Sequence, residues 1–412
     1  MTMVPTTERI SIAELRAAVD GVVLAPDDPG YDAARATLYG GDLRPVAIVR
    51  AAHAADVAHV VRLAGATGLE LAVRSGGHSA AAHCTSDGGI QLDLAAMKRV
   101  EIDVGGRTVW AETGLTAGEL TTAVGEHGLA IGFGDTGTVG IGGITTGGGI
   151  GYLVRKHGLT IDNVVAAEIV LADGTLVRAD ADSHADLFWA IRGGGGNFGV
   201  VTRFQYRLRE LPSVFGGMLV LPATAETVAG AIAAADAAPD ELSAIINVMP
   251  CPPMPFVAEE QHGKLVILAM IVYAGETDAG VEAVAPFRAL AEPLADALRP
   301  MPYAEMFPGE EPGGPKLFAA NRTMFLDALD HDVAGRIVTE LEERMRTSGA
   351  VMAVQPAPRP RRRDGTRAGR CDRVRPSLEP DPPRAGLARR EQGRRASPCR
   401  VDALVRGRIG AE

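Results

Sequence analysis

The sequence predicts an α+β fold built as two consecutive units, on three observations. Short apolar strands alternate with a helix of 3.6-residue periodicity through the first half of the chain. Three glycine clusters, at residues 75–78, 140–151 and 193–199, fall in turns between those elements. After Pro212 the texture changes to long β-rich stretches and alanine-rich helices, which reads as a second α+β unit over residues 213–354.

The elements follow in order. Residues 47–50 (AIVR) and 71–74 (LAVR) read as strands flanking a helix over 55–66, and 89–93 returns as a strand. Residues 99–114 read as a hairpin closed at Gly105-Gly106. Thr116 with Glu119 three residues on is a capping-box pattern that opens a helix, and Gly128 ends it. Residues 161–178 read as two strands turned at Asp173-Gly174, and 185–192 as a helix running into the GGGGNFG tract. A strand over 200–208 closes the first unit, 1–212. In the second unit MLVLP and LVILAMIVYAG read as strands, and 332–347 as the last helix.

Composition narrows the function classes. The chain has 412 residues and a net charge of −10, enough for two cores and too apolar for general disorder. No run of about 20 apolar residues escapes charge or glycine, so no membrane partner is expected. The start, MTMVPTTERISIAEL, lacks a basic segment followed by an apolar one, which leaves a cytoplasmic location as the expectation. Cys84, Cys251, Cys371 and Cys399 have neither disulfide density nor zinc-ligand spacing, so no metal is expected.

Glycine clusters let a backbone approach a ligand closely, and successive N–H groups in such turns cradle phosphate. Gly194, Gly196 and Gly199 match G-x-G-x-x-G formally. They follow a helix and precede a strand, the reverse of the dinucleotide-binding context, so that reading fails. Arg74 offers charge to a pyrophosphate or is a surface strand residue, and a histidine after glycines is by itself an ordinary loop residue.

The heptapeptide VRSGGHS, residues 73–79, resembles the pyrophosphate loop and flavin-linking histidine of berberine-bridge-enzyme-like oxidases. The similarity continues through LDL at 92–94, TVGIGG at 138–143, the tract at 147–153, DLFWA at 186–190 and GGGGNFGVVT at 193–202, and spans residues of about 45–350. It implies a two-lobed FAD-binding fold of the vanillyl-alcohol oxidase and p-cresol methylhydroxylase type, followed by a substrate domain with an antiparallel sheet. Carried over by position, His78 bonds the flavin methyl carbon. Arg74, Ser75, Gly76, Gly77 and Ser79 cradle the pyrophosphate. Gly140, Gly142, Gly143, Gly148 and Gly149 pass under the flavin and ribityl chain, and Asn197, Gly199 and Val201 close on the adenosine side.

Many relatives link the flavin a second time through a cysteine, where this chain has Thr136. Threonine cannot form a thioether, and Cys84 reads as a small buried hydrophobe, so a single covalent link is expected. The implied chemistry is removal of hydride from a small-molecule substrate at a C–H next to an alcohol or amine, with dioxygen as acceptor. Tyr152 is the candidate base, with packing as its other reading; Tyr303 and His157 have no better claim.

The tail breaks the pattern. Up to Val354 the chain carries 25 basic against 44 acidic residues, whereas residues 355–412 hold 16 Arg, 7 acidic residues, 8 Pro and no aromatic side chain. Disorder and binding to nucleic acid or an anionic membrane are the compositional readings, and no nucleic-acid partner is expected. Neither reading explains why such a tail stands where the family has a segment that returns over the flavin. Shifted forward by one base, and with GC-leaning third bases that the genetic code permits, codons for residues 361–378 read Gly-Gly-Ala-Met-Ala-Arg-Val-Pro-Ala-Asp-Ala-Thr-Ala-Phe-Ala-His-Arg, which is similar to the family at this place. A frameshift near residue 355 is therefore the expectation.

Overall fold

The computed structural model describes residues 10–39, 42–307 and 329–347, and the backbone of 352–355 and 404–407. The first sheet joins β1 (Val22–Leu24), β2 (Ala47–Arg50), β3 (Leu71–Arg74) and β4 (Ile90–Asp93) in the order β1-β2-β4-β3. Parallel pairing of β2 and β3 with β4 requires crossovers. Three helices accompany this sheet: α1 (Ile12–Ala18), α2 (Tyr31–Arg35) and α3 (Ala54–Thr67). Val57, Val60, Val61 and Ala64 lie on one stripe of α3 and are buried with Ala47, Val49, Ile90 and Leu92. Gly68 ends α3 in the left-handed conformation, φ 65°. At its start the buried Asp56 carboxylate accepts N–H bonds from Asp20, Gly21 and Ala52, which anchors the α1–β1 turn.

The second sheet is antiparallel throughout, order β5-β6-β10-β8-β9. It contains β5 (Val100–Asp103), β6 (Thr108–Glu112), β8 (Val164–Val170), β9 (Leu176–Asp180) and β10 (Val200–Arg207), while β7 (Leu129–Ala130) pairs with β11 (Arg209–Glu210). Helix α4 (Ala117–Gly125) packs Leu120 and Val124 into its core behind the expected Thr116–Glu119 capping box. The glycine tract departs from the expectation of turns alone. It contains a short helix, α5 (Ile141–Thr146), and leads into α6 (Val154–His157). Burial of Ile141 and Thr145 outweighs the poor helix propensity of the adjoining glycines. Helix α7 (Ala185–Ile191) then runs into a 3₁₀ turn, Gly195–Phe198.

From β12 (Val214–Pro222) onward the chain builds one seven-stranded antiparallel sheet with β13 (Leu242–Pro250), β14 (Leu265–Tyr273), β15 (Ala295–Asp296), β16 (Arg299–Met301), β17 (Met352–Gln355) and β18 (Leu404–Gly407). Helices α8 (Ala225–Ala237), α9 (Thr277–Arg288) and α10 (His331–Thr347) cover one face. Val228, Ala231, Val284, Phe287 and Leu341 meet Leu219, Ile246 and Ile271 there. Strand β18 is a departure from a tail read as wholly disordered; it comes from VDALVRG, the tail's most apolar stretch, and pairs with β17. The rest of the tail, and with it the frameshift reading, lies outside the described residues. No helix among the described residues is long and apolar enough to cross a membrane.

Candidate cofactor site

Two of the three glycine clusters meet backbone to backbone. A Cβ on Gly76 would lie 2.2 Å from the Gly140 nitrogen, and one on Gly140 would lie 2.1 Å from the Gly76 nitrogen. No side chain fits at either position, which is the physical reason for both glycines. Ser75 locks the junction: its hydroxyl donates to the Thr113 carbonyl at 2.5 Å and accepts from Gly142 N–H at 3.3 Å. His78, half-buried at the end of the loop, places Nε2 2.9 Å from Thr138 Oγ1 on the opposite strand of the junction.

The third cluster joins through α5, which packs against the Gly195–Phe198 turn. Thr113 completes the connection. Its buried hydroxyl donates to the Val201 carbonyl at 2.7 Å while its own carbonyl holds Ser75. Val201 itself points into the core and reaches the site only through this link. Thr113 carries no sequence signal beyond its place in the second arm of the expected hairpin, and sequence reasoning missed it.

The remaining expected residues divide. Gly77 sits at φ 77° with its Cβ direction blocked by the Arg74 guanidinium at 2.9 Å. Arg74 Nη1 donates to the carbonyls of Ala34 and Ala36, at 3.0 and 2.5 Å, so it braces the end of α2 as well as flanking the loop. Ser79 accepts from His83 N–H at 3.2 Å within its own turn. Gly148 and Gly149 lie at φ 112° and 77°, the latter against Thr160, whose hydroxyl donates to Gly132 at 2.7 Å. Asn197 donates to the Gly194 carbonyl at 2.8 Å, and Gly199, at φ 141°, lies against the Val170 carbonyl.

This arrangement fits a large anionic cofactor. The inner glycines are closed on one another, whereas Gly143, Gly195 and Gly196 have nothing within 4 Å of their Cβ directions, so bare backbone faces open space. Thr136 keeps its hydroxyl on Asp135, at 3.2 Å. Cys84 and Cys251 are both buried.

Residues 45–180 match the FAD binding domain family. The chain is 34% identical over 290 residues to (R)-6-hydroxynicotine oxidase of Paenarthrobacter nicotinovorans, covering 70% of this chain and 62% of that protein. It is 40% identical over 174 residues to berberine bridge enzyme-like 5 of Arabidopsis thaliana, covering 41% of this chain and 33% of that one. In sequence and in fold the chain is similar to the berberine-bridge-enzyme-like FAD-linked proteins. The crystal structure of 6-hydroxy-D-nicotine oxidase from Arthrobacter nicotinovorans superposes with a TM-score of 0.73 at 29% identity, covering 84% of this chain and 77% of that one. The chain thus spans under two thirds of the length of these curated relatives, and the two-lobed α+β fold expected of the family is the one observed.

The candidate base Tyr152 occupies the joint between the two lobes. It is 1% exposed, packed edge-on to Phe307 at 5.9 Å, and Tyr303 packs on Phe307 in turn at 5.4 Å. Burial raises the pKa of both phenols, with the Asp135 charge adding to the effect on Tyr152, which suits packing better than proton abstraction. His157, beside the same joint, is lowered to about 4 by burial and by the neighbouring Arg209 and Lys156 charges. Its unfolded form takes a proton that the folded form refuses. Stability is therefore expected to be full above about pH 6.5 and to fall as pH drops from there toward 4. Denaturant unfolding across that window checks this, and His157→Asn is expected to flatten the dependence.

Proposed function

We propose that this protein is an FAD-linked oxidase that takes hydride from a C–H next to an alcohol or amine of a small-molecule substrate and uses dioxygen as acceptor. The observation that carries the reading is His78, held on Thr138 where the Gly76 and Gly140 backbones meet. His78 would carry the covalent link to the flavin, and it would be the sole one. Ser75, Gly76 and Gly77, with the charge of Arg74 beside them, hold the pyrophosphate. Backbone at Gly140, Gly142 and Gly143 would hold the flavin, with Gly148 and Gly149 in the turn that follows. Asn197 and Gly199 shape the loop on the adenosine side. When bound, the flavin supplies hydride acceptance and electron transfer to dioxygen; the residues named here fix its position and keep its link.

Mixing the protein anaerobically with a panel of small alcohols and amines tests the reading. A member of the panel is expected to bleach the flavin absorbance, and air is expected to restore it with one hydrogen peroxide per turnover. Recovery with an artificial dye but not with air would make the protein a dehydrogenase. Purification without flavin would remove the reading altogether.

A further inference from the structure

Thr138 stands on backbone that the chain fixes from three sides. Its neighbours Gly137 and Val139 accept N–H bonds from Gly118 and Ala117, the first residues of α4, at 2.9 and 2.8 Å. Its own carbonyl oxygen lies 2.8 Å from where a Cβ on Gly76 would stand, which seats it against the 75–78 loop. Gly140, two residues on, bridges to Thr116. From this platform the Thr138 hydroxyl meets His78 Nε2 at 2.9 Å, across 60 positions of sequence. The loop that carries His78 is anchored as well, by Ser75 on Thr113 and Gly142 and by Leu38 N–H on the Gly77 carbonyl at 3.2 Å. Both side chains are half-buried. The outer torsion of a histidine is broad on its own, and this one bond between two anchored segments selects a setting of it.

We propose that Thr138 is a positioning residue for flavin attachment, orienting the His78 imidazole for its bond to the flavin methyl carbon while being dispensable for holding the cofactor. The inference rests on the His78 link proposed above. In that link one imidazole N–C bond forms, one methyl C–H bond and the imidazole N–H bond break, and dioxygen takes the two electrons and two protons as hydrogen peroxide. A ring nitrogen has to meet the carbon along its lone pair, which lies in the ring plane, so a ring turned out of place does not react. Nε2–H donates to Thr138 Oγ1, which leaves the lone pair on Nδ1 and makes Nδ1 the bonding nitrogen. With the link made, Nε2 has lost its proton and accepts from the same hydroxyl. A hydroxyl both donates and accepts, so one threonine serves both states without moving. Valine, of nearly the same shape, serves neither.

The test uses the full chain purified from riboflavin-starved cells and then supplied with FAD in air. Total flavin is read from the absorbance of the folded, desalted protein, and the linked fraction from the mass of the denatured chain over time. Thr138→Val is expected to bind as much FAD as wild type and to form the link about tenfold more slowly, the effect of one hydrogen bond lost from the reacting arrangement. Thr138→Ser restores the hydroxyl and is expected to link within about threefold of the wild-type rate. Thr138→Val that links at the wild-type rate overturns the proposal. So does Thr138→Ser that links no faster than Thr138→Val, which would assign the effect to the threonine methyl group. Loss of total FAD from folded Thr138→Val also overturns it, by making the residue part of the binding wall. Wild type that binds FAD and never gains its mass after denaturation removes the His78 link and this assignment with it, whereas a failure confined to the variants leaves the link standing.

Discussion

Gly140→Ala is expected to abolish flavin loading and to destabilise the protein by more than about 3 kcal/mol. The added methyl would stand 2.1 Å from both the Gly76 nitrogen and Ser75 Oγ, and backbone cannot step aside as a flexible side chain can. Gly76→Ala meets the Gly140 nitrogen at 2.2 Å and is expected to behave alike. Gly143→Ala separates packing from cofactor binding. Nothing lies within 4 Å of its Cβ, and it sits inside α5, so alanine should add up to about 1 kcal/mol of helix stability. If its backbone faces the flavin, the same methyl enters the cofactor's space. A higher Tm with lower flavin content is the expected result, read by thermal unfolding and by the ratio of flavin to protein absorbance.

His78→Ala is expected to leave flavin that washes out on denaturation, where wild type is expected to stay yellow through gel filtration in denaturant. The variant loses the bonding atom and the 2.9 Å contact to Thr138 together. Some flavin should survive in the folded variant, because the Ser75–Thr113–Val201 chain and the glycine junction do not pass through His78. His78→Ala that retains denaturation-resistant flavin would place the link elsewhere.

Much of this was legible in the sequence, and the reasons are specific. The strands Ala47–Arg50 and Leu71–Arg74 emerged at their expected bounds, because each is a short apolar run bracketing a helix with its own apolar stripe. Thr116 and Glu119 form the expected capping box, and Gly174 turns the β8–β9 hairpin at φ 81°. Local chemistry determines such features. Helix α5 was hidden, since its glycines argue against a helix and only tertiary burial of Ile141 and Thr145 overrides them. Thr113 was hidden for a related reason. Its role rests on contacts to residues 38 and 88 positions away, which no local pattern encodes. Arg74 was read for its charge, whereas two of its bonds go to carbonyls at the end of α2, those of Ala36 and Ala34, 38 and 40 positions earlier. Tyr152 follows a glycine tract that suggests a site, yet the chain turns it into the lobe joint, where the second lobe supplies Phe307.

The most direct test is the mass of the denatured protein, followed by peptide mapping. The expected result is one FAD per chain, carried on the peptide that contains His78, with Cys84 and Cys251 unmodified. A bare polypeptide mass, or flavin recovered on any cysteine peptide, would contradict the account.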